Sequence, residues 1–148
     1  IRLLAQNSQI DVAVGGTRGL AVLGVEEQLV TAIRNLLTNA INYSPRGTPV
    51  QVATRLSDDV VEISVTDQGM GIPDSEVHRV FERFYRVDQA RSRVTGGTGL
   101  GLSITYQIIA EHGGQISAHS AGPGHGSTLI VRLPRQKHES VTTTKTAA

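Results

Sequence analysis

At 148 residues the chain suffices for one domain around a single core, and its 14 basic and 13 acidic residues leave a formal net charge of +1. So small a net charge gives no overall field favouring nucleic acid or an anionic membrane surface. With no Trp and only Phe81, Phe84 and three Tyr, the core must be built of Leu, Ile and Val and no aromatic platform for base stacking is expected, while the absence of Cys excludes a disulfide scaffold and a thiolate zinc site.

No apolar run approaches the ~18 to 20 residues needed to span a bilayer, and no signal-peptide pattern opens the chain, so the segment is expected to be soluble. Because it begins at Ile1 rather than methionine, it is expected to be a fragment whose anchoring or sensing segments lie upstream.

In chain order, IRLLAQN (1–7) reads as a short helix. IDVAV (10–14) and LAVLG (20–24) read as a hairpin turned through Gly15-Gly16. From Val25 to Tyr43, Leu29, Ile33, Leu36, Leu37 and Ala40 recur with period 3.6, with Val30 and Ile41 widening the stripe, so a long helix is expected, ended by Pro45. VQVATRL (50–56) and VVEISVTD (60–67) make a second hairpin turned at Asp58-Asp59. Residues 68–98 lack a long periodic element and carry Arg79, Arg83, Arg86, Arg91 and Arg93. A loop of this length in a compact domain is usually functional, often a lid. A second long helix is expected from about Gly99 to His112, with Leu100, Ile104 and Ile108 spaced by four and Gly113-Gly114 as its stop. QISAHS (115–120) and STLIVRL (127–133) close the chain as strands, and residues 136–148 read as a disordered tail.

GGTGLGLSI (96–104) is the densest glycine cluster. It is not a dinucleotide-binding turn: counted from Gly97 and Gly99, the third glycine position is Leu102. It is not a P-loop either, since the lysine position is also Leu102. Glycines leading into a helix do, however, present unsatisfied N–H groups and the positive end of the helix dipole, which bind phosphate without a lysine. A flexible loop would read the same way.

Asn35, Asn39 and Asn42 fall on one stripe of the first long helix. Such a stripe is compatible with a solvated face. Yet Asn is a poor helix former, and its carbonyl oxygen is a hard neutral ligand suited to Mg²⁺. Asp67 ends a strand and begins D-x-G-x-G with Gly69 and Gly71. The pattern is either a strand-to-loop turn or a carboxylate accepting a hydrogen bond from an exocyclic amine such as that of adenine, with glycines letting a flat ring approach the backbone.

Taken in order, these stretches resemble the ATP-binding catalytic domain of bacterial sensor histidine kinases. NLLTNAINYS (35–44) is similar to the asparagine box, TDQGMGIP (66–73) to the first glycine box, FERFYRVD (81–88) to the phenylalanine box, and GTGLGLSI (97–104) to the second glycine box. GHGSTLIVRLP (124–134) is similar to the end of the domain. The resemblance covers residues 1–135. It implies an α/β two-layer sandwich of the Bergerat type, with a mixed sheet, helices on one face and a mobile ATP lid.

By the resemblance Asn39 is the Mg²⁺ ligand, Asp67 the adenine partner, Gly69 and Gly71 the floor beneath the base with Ile72 beside them, and Tyr43 packs on the adenine. Phe81 and Phe84 anchor the lid, Arg86 reaches the terminal phosphates, and Gly97, Thr98, Gly99, Leu100 and Gly101 close over the phosphate chain. The position of Asn42 often holds a phosphate-binding lysine in this family, so charge neutralisation is expected to rest on Mg²⁺ and Arg86.

ATPases of the topoisomerase, mismatch-repair and chaperone type share the asparagine and first glycine boxes, but place a water-activating glutamate where this chain has Asn35. An amide cannot take up a proton. Asn35 therefore favours phosphoryl transfer over hydrolysis; a nucleotide-dependent docking module without chemistry stands as a further alternative. His78, His112, His119, His125 and His138 lack phospho-acceptor context. The resemblance thus implies Mg-ATP-dependent transfer to a histidine on a separate dimerisation and phosphoacceptor domain, and onward to a response regulator. No nucleic-acid partner is expected. The parent is expected to be a homodimer anchored in the bacterial inner membrane, with this domain cytoplasmic.

Overall fold

The computed structural model describes residues 2–7, 9–82 and 101–136. Among the described residues five strands and three helices follow one another as α1 (Arg2–Asn7), β1 (Asp11–Gly16), α2 (Glu26–Tyr43), β2 (Pro49–Ser57), β3 (Val60–Asp67), α3 (Gly101–Glu111), β4 (Gln115–His119) and β5 (Ser127–Pro134), with one 3₁₀ turn at Asp74–Glu76. The strands form one mixed sheet in the order β1-β2-β3-β5-β4, with β1 parallel to β2 and every other pair antiparallel.

Alternation decides which sheet face is buried. In β3 and β5, Val61, Ile63 and Val65 pair with Leu133, Val131 and Leu129. Val65, Leu129, Val131 and Leu133 join Ala32, Leu36, Ala40 and Ile41 of α2 and Ile109 of α3 in one core, with Ile63 packed against it. The fold is the expected α/β two-layer sandwich, and among the described residues the two long helices pack on one face of the sheet.

α2 carries Glu26 and Glu27 in its first turn, where the dipole favours negative charge. It stops where the Ser44 hydroxyl donates back to the Ala40 carbonyl at 2.7 Å, just before Pro45. The buried stripe is Ala32, Leu36, Ala40 and Ile41, whereas Val30 is about half exposed, so it does not widen the core face. On α3 the expected face is also corrected. Ile104 is exposed, and the deepest residues are Thr105 and Ile109. Thr105 tolerates full burial because its hydroxyl donates to the Ala32 carbonyl at 3.3 Å.

The second hairpin turns at Asp58-Asp59, with φ of 48° and 64°, a pair of left-handed residues that suits the twist of a two-residue hairpin. The first expected hairpin does not exist. β1 instead pairs in parallel with β2, and residues 20–24 contribute only a bridge between Val22 and Arg135. Gly16 misleads because it is a close-approach glycine rather than a turn: a Cβ there would strike the Thr54 backbone of β2.

On the uncovered face Glu62 is nearly buried between two guanidinium groups, Arg55 at 2.6 Å and Arg132 at 3.0 Å. Arg132 also donates to the Ser117 hydroxyl. The hydrogen bond from Arg55 is the main cause that holds the Glu62 carboxyl below its ordinary value of 4.5. A depressed folded pKa contributes stability that is full above the unfolded value and lost as pH falls through the folded one. Glu62→Gln should therefore flatten the acid limb of the stability curve below about pH 4.5. Urea titrations of both proteins between neutral pH and pH 3 check it; equal acid slopes contradict the assignment.

Candidate functional site

Asp67 is the last residue of β3 and lies opposite Ser127, the first of β5. Its Oδ1 accepts from the Gly69 N–H at 2.8 Å and the Ser127 N–H at 3.2 Å, and its Oδ2 accepts from the Ser127 hydroxyl at 2.8 Å. Three donors to a carboxylate only 5% exposed fix its plane and leave acceptor capacity on Oδ2.

The glycines beside it answer to the chain's own backbone. At Gly69 a Cβ would run into the Tyr43 carbonyl of α2. Gly71 is left-handed, φ +74°, and a Cβ there would meet the Gly122 carbonyl; Gly126, φ +68°, faces the Asp67 carbonyl in the same way. The Gly126 N–H donates to the Gly69 carbonyl and the Gly124 N–H to the Met70 carbonyl. Ser120 completes the tie by accepting from the Ile72 N–H at 3.0 Å and donating to the Gly126 carbonyl at 2.7 Å.

Against this corner lies a cavity of about 70 Å³. Asp67, Ser127, Asn39 and Tyr43 bring polar atoms to it, and Met70, Ile72, Val80, Leu102 and Leu129 give apolar walls, with Gly71 between. Asp67 is the only charged residue among the described residues that line it. Asn39 makes no side-chain hydrogen bond among the described residues, so its amide is free to meet a ligand. An apolar slot with one fixed carboxylate and one free amide matches a flat heterocycle bearing an amine.

Of the residues singled out in the sequence, the fold brings Asn39, Tyr43, Asp67, Gly71 and Ile72 into the cavity wall, with Gly69 directly behind. Asn35 does not line it. Its amide donates to the Gly101 carbonyl at 3.3 Å, joining α2 to the first residue of α3. Asn42 is half-buried and also stands outside the wall. Phe81 packs on the core and against the Tyr106 ring, centroids 5.7 Å apart. Phe84, Arg83, Arg86, Arg91, Arg93, Gly97, Thr98, Gly99 and Leu100 lie outside the described residues. Sequence reasoning missed Ser127, Met70, Val80, Leu102 and Leu129. Leu129 is signalled by strand alternation alone, and Ser127 by nothing local.

A family model described as "Histidine kinase-, DNA gyrase B-, and HSP90-like ATPase" matches residues 24–137. The chain belongs to that family. It is 51% identical over 133 residues to the sensor-like histidine kinase SenX3 of Mycolicibacterium smegmatis, covering 90% of this chain and 34% of that protein. It is 40% identical over 116 residues to the sensor histidine kinase WalK of Bacillus subtilis, covering 77% of this chain and 19% of WalK. The chain thus spans about a third or less of these relatives. Among solved structures, the mycobacterial sensor histidine kinase MprB superposes with TM-score 0.79 at 36% identity, over 91% of this chain and 88% of that one. Full-length ShkA in complex with AMPPNP superposes with TM-score 0.76 at 26% identity, over 91% of this chain and 27% of ShkA.

The close backbone approaches make a prediction independent of any ligand. Gly71→Ala should destabilise the nucleotide-free fold by about 1 to 3 kcal/mol, the usual cost of a strained backbone conformation. Urea denaturation reads it directly, and a wild-type midpoint would show that no approach to Gly122 constrains this position.

Proposed function

We propose that this chain is the ATP-binding catalytic domain of a sensor histidine kinase, binding Mg-ATP and transferring its γ-phosphoryl group to a histidine on a separate dimerisation and phosphoacceptor domain. The observation that carries the reading is the Asp67 carboxylate, locked by Gly69 and Ser127 at the edge of an apolar slot beside Asn39. In the solved structure of a protein with the same fold, ShkA, the complex is with AMPPNP, and we assign the same nucleotide class here.

In this reading Asp67 accepts from the adenine amine, and Tyr43, Met70, Ile72 and Leu129 exclude water from the base. Gly69 and Gly71 keep the loop close enough to hold the carboxylate in place. Asn39 is the protein ligand for Mg²⁺, which when bound would offset phosphate charge. Arg86 with Gly97, Thr98, Gly99, Leu100 and Gly101 would cover the phosphates. Catalysis of this type rests on positioning and charge neutralisation rather than on a protein nucleophile.

Asn35 supports transfer over hydrolysis: an amide occupied by the Gly101 carbonyl offers no base to a water. The acceptor histidine, the response regulator reached through it, and a homodimeric parent anchored in the bacterial inner membrane with this domain in the cytoplasm belong to the same proposal. Among the described residues no helix is long and apolar enough to cross a membrane. Residues 1–135 are proposed as the catalytic domain and 136–148 as its tail.

Nucleotide selectivity tests the carboxylate. Guanine presents a carbonyl where adenine presents its amine, so the chain should bind ATP more tightly than GTP by about 1 to 3 kcal/mol, the scale of an unpaired buried polar group. Asp67→Asn should erase most of that preference. Calorimetry with both nucleotides on both proteins decides it, and equal wild-type affinities would remove Asp67 from the base site.

A further inference from the structure

α2 and α3 run antiparallel, tied by a ladder of cross-helix hydrogen bonds. Asn35 meets Gly101 and Ala32 meets Thr105. At the far end, His112, which directly follows α3, meets Val25, the residue before α2. The cavity lies at the other end, where Asn39 and Tyr43 of α2 face Leu102 of α3.

The His112 contact is chemically selective. The Val25 N–H donates to Nε2 at 3.1 Å, so Nε2 carries no hydrogen. The ring hydrogen therefore sits on Nδ1, from which it is donated to the Ile108 carbonyl at 2.7 Å. An imidazolium carries hydrogens on both nitrogens, and Nε2–H would then face the Val25 N–H at the positive end of the α2 dipole. Gly24 seats the ring: a Cβ there would lie 2.5 Å from its Cδ2 and 2.9 Å from its Nε2. α2 has no side-chain N-cap, so this ring is its anchor at that end.

We propose that His112 is a positioning residue for the nucleotide site: its neutral imidazole latches the far ends of α2 and α3, and protonation opens the latch and weakens nucleotide binding. The charged groups on the surrounding elements are Glu26 and Glu27 in the first turn of α2, Glu111, the last residue of α3, and Arg135, bridged to Val22. The glutamates attract an imidazolium and Arg135 repels it, but among the described residues none of them is hydrogen-bonded to the ring. Asn39 of α2 and Leu102 of α3 both line the slot, so a shift of one helix against the other alters its shape.

The inference rests on the nucleotide site proposed above, and the test separates the two. ATP binding is measured by calorimetry at pH 7.5 and 5.5 on the wild type, His112→Gln and His112→Phe. Gln offers an oxygen near the place of Nε2 that does not titrate; Phe keeps the ring and loses both hydrogen bonds. Protonation of the nucleotide and of the other histidines is common to all three. At pH 7.5 His112→Gln should bind nearly as the wild type, and His112→Phe about fivefold more weakly, the scale of the one lost hydrogen bond that joins the two helices. On acidification the wild type should lose about fivefold more affinity than His112→Gln. Parallel pH profiles of the wild type and His112→Gln, or wild-type affinity in His112→Phe, would overturn the latch. Should His112→Phe fail to fold, Gly24→Ala, which displaces the ring, is expected to show the same loss at pH 7.5, and unchanged affinity there overturns the proposal. A wild type that binds no ATP at pH 7.5 would instead sink the site reading, and the role of the latch with it.

Discussion

The carboxylate of Asp67 is the constraint on which the rest of the site depends. It ends β3, reaches forward to the Gly69 N–H and sideways to both donors of Ser127. One side chain thereby fixes the end of one strand, the start of its neighbour and the loop between sheet and 3₁₀ turn. The close approaches at Gly69, Gly71 and Gly126 follow from that knot, since each brings backbone against backbone where a Cβ would not fit. Buried carboxylates need partners, and here the partners leave one oxygen with capacity to spare.

The helices supply the opposite wall, and their separation is set by polar contacts as much as by packing. Thr105 is fully buried in the seam between α2 and α3, and Asn35 closes the seam at the cavity end. A hydroxyl or amide in such a seam specifies register, because a slip of one turn would leave it unpaired in the core. The asparagine stripe of α2 thus divides its work: Asn35 holds a neighbouring helix and Asn39 faces the slot.

Elements with a strong period were legible in the sequence. α2, the β2–β3 hairpin and the β4–β5 pair lie where alternation and helical spacing place them, because each buries one continuous face. Local reading failed where a long-range contact reversed a local signal. Gly15-Gly16 has the composition of a turn, yet Gly16 sits against Thr54 in a parallel pair that no short window can reveal. The face of α3 was misjudged because Ile104 is apolar but exposed, while Thr105 is polar but satisfied by Ala32. Asn39, Tyr43, Asp67 and Ile72 were legible as motif members and do meet in one cavity. Ser127, the partner that orients Asp67, was not, since a serine opening a strand looks like any other until the strand order is known.

In the proposed reaction a phosphoryl group passes from ATP to a histidine on a separate phosphoacceptor segment. The most direct test of that transfer incubates the chain with γ-labelled ATP and Mg²⁺, alone and with the dimerisation and phosphoacceptor segment of the sensor kinase it is proposed to belong to supplied in trans. The expected result is an unlabelled chain, slow release of phosphate, and an acid-labile, base-stable label on the added segment. Brisk phosphate release by the chain alone, with no label on the segment, would contradict it.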